Sequence, residues 1–226
     1  KLNPFIVLLG KGDHQITSTC SWVRKYEYSE DESKVNDSED VDVVQTTLGI
    51  TCSNITFVGQ GINTTTILGG FAIRNQQNVT FKQMTVTNVV EDGCGIVMRN
   101  AAVEIMDLII KKCASCALTL RSETSKSIIV ATRCEFSEST YGALLFGDGS
   151  SSTQNWITKI IKHSETTCTF TDCTFHNNLE EGLYGNGCTI HLHGEVTASY
   201  SNGDCGIYAE NTAKIIIHLP SHHNTS

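Results

Sequence analysis

Histidine is the residue type whose spacing here offers chemistry. His191 and His193 alternate with Ile190 and Leu192, and His218 directly follows Ile217. Successive side chains of a strand point to opposite faces, so burial of the two aliphatic residues turns both imidazoles outward. Aligning Leu192-His193 with Ile217-His218 places His193 and His218 on adjacent strands, close enough to share a metal ion of the kind imidazoles bind, zinc or copper. His222 and His223 lie just beyond. Without a fixed carboxylate or thiolate the same residues equally form a plain polar ladder. His193 and His218 are therefore the metal candidates, metal titration is their test, and no cofactor is expected.

The other chemical groups are less concentrated. Asp92, Asp107, Asp148, Asp172 and Asp204 show no fixed phase along the chain, and Arg99, Arg121 and Arg133 have no acid cluster beside them in sequence. No catalytic residue is assigned. Of the ten cysteines, Cys94, Cys116 and Cys205 stand at the starts of similar segments, whereas Cys113, Cys134 and Cys173 fall near the ends of others. Recurrence of this kind favours stacked buried thiols acting as small hydrophobes, with disulfides or a metal site as alternatives. Cys113-Ala114-Ser115-Cys116 has the spacing of a redox motif but lacks a β-α context. Cys168 and Cys173 are five apart, which is not zinc-motif spacing. Asn-X-Ser/Thr sequons at Asn36, Asn54, Asn63, Asn78 and Asn224 are candidate glycosylation sites. Asn is equally favoured at tight corners, where it tolerates left-handed backbone.

The elements that would position these residues are strands. The 226 residues are 39% hydrophobic but only 7% aromatic, so an aliphatic core is expected. The only prolines are Pro4 and Pro220, and proline is excluded from central strands because it lacks the ladder donor. No apolar run approaches the length of a transmembrane helix, so no membrane insertion is expected. A net charge of -8 argues against nucleic acid as partner. Residues 26–42 hold eight acids against Lys34 alone. This segment reads as a solvated acidic loop insertion, 26–46, and Glu30, Asp31, Glu32, Asp37, Glu39 and Asp40 are its candidate docking residues for a basic partner. The run Phe5 to Leu9 is too short for a signal peptide and reads as a first strand ending at Gly10. The sequence opens at Lys1, so the lack of a targeting segment says little about destination. The compartment stays open, with an intracellular setting favoured over secretion.

Beyond Thr47 the sequence repeats. Segments beginning Gly95-Ile96, Ala117-Leu118, Gly142-Ala143, Gly182-Leu183 and Gly206-Ile207 share a small residue followed by a short apolar run. Their steps are 22, 25, 40 and 24 residues, the long step being explained by a polar insertion around 150–165. Each unit carries a second alternating run, such as Val79-Thr80-Phe81 or Thr189-Ile190-His191-Leu192, and most carry a third. Period-2 segments at this spacing, with no 3.6-residue period, point to a solenoid of strands. One unit cannot bury its own apolar face. Parallel stacking buries a continuous column and pairs each strand above and below, at about 4.8 Å per layer.

This pattern, with segments such as Asn54-Ile55-Thr56-Phe57-Val58-Gly59-Gln60-Gly61 and Val79-Thr80-Phe81-Lys82-Gln83-Met84-Thr85-Val86, resembles the right-handed parallel β-helix proteins of the pectin-lyase-like superfamily. It is most similar to the non-catalytic β-helix repeat proteins of algae and protists. The resemblance implies an all-β, single-domain chain, 1–226, with a repeat body at 48–219 of about seven to eight coils. Enzymes of the superfamily carry Asn-Thr-Asp, Asp-Asp, Gly-His-Gly and Arg-Ile-Lys segments, or a calcium-binding carboxylate cluster with an arginine base. This sequence has neither set. The expectation is a non-enzymatic structural or interaction protein whose partners are other protein subunits, docked through a sheet face or an open coil end. The short segment after Ile217 contains no capping helix, so that end is expected to be covered by further sequence or a neighbouring subunit. An extracellular carbohydrate-binding or carbohydrate-active protein is the alternative.

Overall fold

The computed structural model describes residues 4–17, 46–122, 126–147 and 166–218. Twenty strands, β1 to β20 in chain order, lie among them, every recorded strand pair is parallel, and none of the described residues is helical. The strands form three stacks. The first holds β1 (Phe5–Leu8), β4 (Ile55–Val58), the front of β7 (Val79–Thr87), the front of β9 (Ala102–Lys111), β11 (Ile128–Thr132), β14 (Thr167–Thr171), β17 (Thr189–His193) and β20 (Lys214–Ile217). The second holds β2 (Gly12–Gln15), β5 (Thr65–Leu68), the rear halves of β7 and β9, β12 (Glu135–Ser137), β15 (Thr174–His176) and β18 (Ala198–Tyr200). The third holds β3 (Thr47–Ile50), β6 (Gly70–Arg74), β8 (Ile96–Arg99), β10 (Cys116–Arg121), β13 (Tyr141–Phe146), β16 (Leu183–Asn186) and β19 (Ile207–Glu210). The chain visits the three in rotation, an arrangement consistent with a parallel β-helix. The stack takes in residues 5–15 as well, because β1 pairs with β4 and β2 with β5. Residues 26–45 of the acidic loop and the 150–165 insertion lie outside the described residues.

Alternation in the first stack sets what is buried. Ile55, Val79, Val103, Ile129, Cys168 and Ile190 form one inward column. Phe57, Phe81, Ile105, Ala131, Phe170 and Leu192 form the next. Between them Thr56, Thr80, Glu104, Val130, Thr169 and His191 point out. The core is mainly aliphatic, as composition predicts, but its aromatic part is concentrated. Six of the eight phenylalanines are buried, in two clusters: Phe57, Phe71 and Phe81 with ring centroids 4.6–5.6 Å apart, and Phe136, Phe170 and Phe175 at 5.0–5.9 Å. The rings cluster because the core is a narrow column. A few rings fill its cross-section, and parallel layers bring them into contact near the strand spacing.

The third stack differs again. Ala72, Val97, Thr119, Leu144 and Tyr184, in register on its outer side, are all buried, and Tyr141 and Phe146 pack beside them. Burial on both faces matches the near-continuous apolar runs of β6, β10 and β13, which is how a doubly covered parallel strand reads.

Candidate functional site

The three histidines meet on the outer face of the first stack. Register pairs Leu192 with Ile217, and both Ile190 and Leu192 are buried. His193 therefore faces His218 across the β17–β20 boundary, with ring centroids 3.9 Å apart and planes only 9° from parallel. His191 joins them, its Nδ1 lying 3.0 Å from His218 Nε2, a distance that requires one of the two nitrogens to carry the proton. One nitrogen from each of the three lies within 4.8 Å of the others. His191 and His193 are partly exposed and His218 is exposed. Burial, and then the neighbouring His218 and His191, lower the His193 pKa below the usual histidine value, since each disfavours the charged imidazolium. Sequence reasoning reached the His193–His218 pair. It did not include His191, which stands diagonally opposite His218 and is reached by side-chain length.

A second polar cluster sits at the corner between the first and second stacks. Gln83, Asp107, Arg133, Asp172 and Gly194 follow one another layer by layer, all with left-handed backbone, φ 57°, 54°, 51°, 54° and 88°. Asp107 and Asp172 thus share one phase, two of the five acids that as a set recur at no fixed phase. Arg133 occupies the intervening layer, and the long step before Asp172 hides the repeat. The Arg133 guanidinium donates two hydrogen bonds to Asp107, at 2.6 and 2.9 Å, and holds that carboxyl below its ordinary pKa. A Cβ at Gly194 would fall 2.0 Å from Asp172 Oδ1, so the Asp172 carboxylate packs over that glycine. Beside this corner runs a groove of about 750 Å³, whose lining includes Asp107, Arg133, Glu135, Asp172 and Glu195. Glu135 also meets His176 at 3.4 Å.

Sequence reasoning missed a third cluster. On the outer side of the third stack the Tyr184 hydroxyl donates to the Glu210 carboxylate, and Asn186 Nδ2 donates to the same carboxylate. Tyr184 stacks on Tyr208 at 5.6 Å and meets Phe146 at 5.4 Å. These residues lie 24 to 26 positions apart, and only the strand register would have revealed them. Nearby, Glu181, Asp204 and Cys205 bring one ligand atom each within 4.8 Å of the others. Burial, followed by Asp204, Glu180 and Glu210, raises the Glu181 pKa above its ordinary value.

Seven of the nine described cysteines are buried, and none of the nine is bridged. Cys94 and Cys116 pair in register one layer apart. Cys134 and Cys173 stand at the same corner of successive layers, immediately after Arg133 and Asp172. Cys113, grouped with them by sequence, belongs to another column, where its N–H donates to Ser139 Oγ. Among the sequons, Asn54 and Asn78 occupy equivalent left-handed corners, and Asn78 Nδ2 donates to Asn54 Oδ1 at 3.0 Å. Asn63 is exposed in a turn. Asn36, Asn224 and the acidic residues Glu30, Asp31, Glu32, Asp37, Glu39 and Asp40 lie outside the described residues.

No protein-family model and no curated protein matches the chain. Among solved structures, one similar chain is ORF18 of Geobacillus virus E2, at 12% identity and TM-score 0.41, covering 96% of this chain and 56% of that one. Another is the A-module of a mannuronan C-5 epimerase of Azotobacter vinelandii, at 11% identity and TM-score 0.30, covering 95% of this chain and 66% of that one. The chain thus spans less than two thirds of the length of either.

Proposed function

We propose that this chain is a non-enzymatic β-helix scaffold that docks onto other protein subunits through an open end of its stack. We also infer a right-handed coil of seven to eight turns, of the kind built by the pectin-lyase-like superfamily, since crossovers between parallel strands take that hand almost without exception. The observation that carries the docking reading is the terminal layer. Among the described residues β18, β19 and β20 are paired on one side only, and Ile207, Tyr208, Ile216 and Ile217 are 37–59% exposed. An apolar cavity of about 380 Å³, lined in part by Phe175, Leu183, Leu192, Ile207 and Ile217, opens there. A row of unpaired backbone donors and acceptors beside uncovered aliphatic side chains favours addition of another strand or subunit. The corner groove favours a second reading, a carbohydrate ligand held by Asp107, Arg133, Glu135 and Asp172, since sugar hydroxyls suit carboxylate acceptors and a guanidinium donor.

Light scattering and native mass spectrometry of the chain and of an Ile217→Asp variant separate the two. The docking reading expects self-association or a stoichiometric protein partner that the variant loses while keeping its far-ultraviolet spectrum. A monomer that gains no protein partner, yet binds an oligosaccharide less tightly after Asp172→Asn, supports the carbohydrate reading instead.

A further inference from the structure

The geometry points to a binding site for one divalent transition-metal ion of the zinc and copper class, held by the imidazoles of His191, His193 and His218 and tying β20 to β17. The inference stands apart from the docking reading. Three neutral nitrogen donors are the ligand type that suits zinc, copper and nickel, and they discriminate against calcium and magnesium, which require oxygen. Two nitrogens bound to a tetrahedral zinc at about 2.0–2.1 Å sit roughly 3.3–3.4 Å apart. The His191 Nδ1 to His218 Nε2 separation is already 3.0 Å, so replacing their shared proton by a metal ion needs only a slight opening. His193 must do more. A metal lies in the plane of each ring it binds, and the His193 and His218 planes are nearly parallel at 3.9 Å, so one ring has to rotate out of the stack. Partial exposure leaves space for that rotation. Three protein ligands leave a fourth position for water or for an outside donor.

Three features separate this cluster from a bland polar ladder. All three residues are histidines. They come from β17 and from the residue directly after β20, two strands whose register is fixed by buried Ile190 and Leu192. No such convergence occurs at the equivalent positions of the preceding layer, where Thr169 and Thr171 stand.

Isothermal titration of the full chain with zinc chloride, in a buffer free of chelators, tests the site, with cupric, calcium and magnesium chlorides as comparisons. One zinc per chain is expected, cupric ion tighter than zinc in keeping with the usual divalent order, and no heat from calcium or magnesium. His218→Ala, at an exposed position where folding is little affected, should weaken zinc by more than the roughly 10- to 100-fold that loss of an outer-shell partner costs. His193→Ala with His218→Ala should abolish binding. Cupric electron paramagnetic resonance should show several nitrogen ligands in the wild type and fewer in His218→Ala. Cys52→Ser with Cys205→Ser, and His222→Ala with His223→Ala, should leave the stoichiometry unchanged. Absence of saturable zinc binding, binding unaltered by His218→Ala, or binding lost with the cysteine or His222/His223 pairs would overturn the assignment.

Discussion

At the scale of single residues, the cysteines show how much position outweighs identity. Spacing suggested a recurrent thiol ladder, and the register puts Cys94 against Cys116 while separating Cys113 from Cys134 and Cys173. The difference arises because equivalent columns are defined by corners, and strand lengths between corners vary. Burial raises the Cys113 thiol to about 12. Cys116, Cys134 and Cys168 are also held above the usual value, by hydrogen bonds to Cys94, Cys173 and Cys188 and by burial. Thiolate is the reactive form, so these groups stay inert as pH rises through the range where an ordinary thiol ionises. With Cys20 replaced by serine, dithionitrobenzoate at pH 8 should label exposed Cys52 quickly and half-buried Cys205 more slowly, leaving the seven buried thiols until denaturant is added. Rapid native labelling of Cys113 or Cys134 would show that the columns are not packed as described. The acids tell the opposite story. Asp107 and Asp172 were legible as residues but not as neighbours, since an arginine stands between them and the layer before Asp172 is long.

At the scale of elements, much of the register was legible. Gly95, Ala117, Gly142, Gly182 and Gly206, aligned by their common small-then-apolar pattern, are one column of the third stack. The column is small because each residue enters its strand against the backbone of the next layer. A Cβ on Gly142 would lie 2.2 Å from the Gly182 carbonyl oxygen, and one on Gly95 2.4 Å from Ile110 Cγ2. Ala117 shows that one member accommodates a methyl. Gly142→Val should therefore destabilise the fold by about 1–3 kcal/mol or more, as overpacking does where the obstacle is backbone, while Ala117→Gly should cost less. Urea unfolding followed by circular dichroism measures both, and an unchanged midpoint for Gly142→Val would contradict the packing. The bends were harder to foresee. β7 and β9 run through two stacks without a break, turning at Gln83 and Asp107 in left-handed backbone, so what read as second and third segments is one strand. Asp107 carries a turn signal, since Asp tolerates left-handed backbone, but Gln83 carries none, and neither marks a break in its strand.

At the scale of the whole molecule, charge and stability are both unevenly distributed. Residues 26–42 carry seven of the eight net negative charges, so the remaining chain is nearly neutral and its layers stack without appreciable mutual repulsion. Each layer touches only those above and below, which makes stability a sum of local layers and interfaces, unlike a globular core in which every element shares one centre. Terminal layers then have half the neighbours. The described burial follows this: Ile96, Ile105, Leu118 and Ile129 in the middle are fully buried, whereas Phe5, Ile6 and Leu8 at one end and Ile216 and Ile217 at the other are 38–78% exposed. Hydrogen exchange should accordingly be graded along the stack. Amides of β8, β9, β10 and β11 should exchange most slowly, through near-global opening, and those of β1, β2, β19 and β20 fastest, through fraying. Mass spectrometry of exchanged peptides from the isolated chain reads the gradient directly. Equal protection from end to end would mean that the terminal layers are covered in solution, by association or by segments outside the described residues, and would argue that the apolar surface around Ile207 and Ile217 is already an interface.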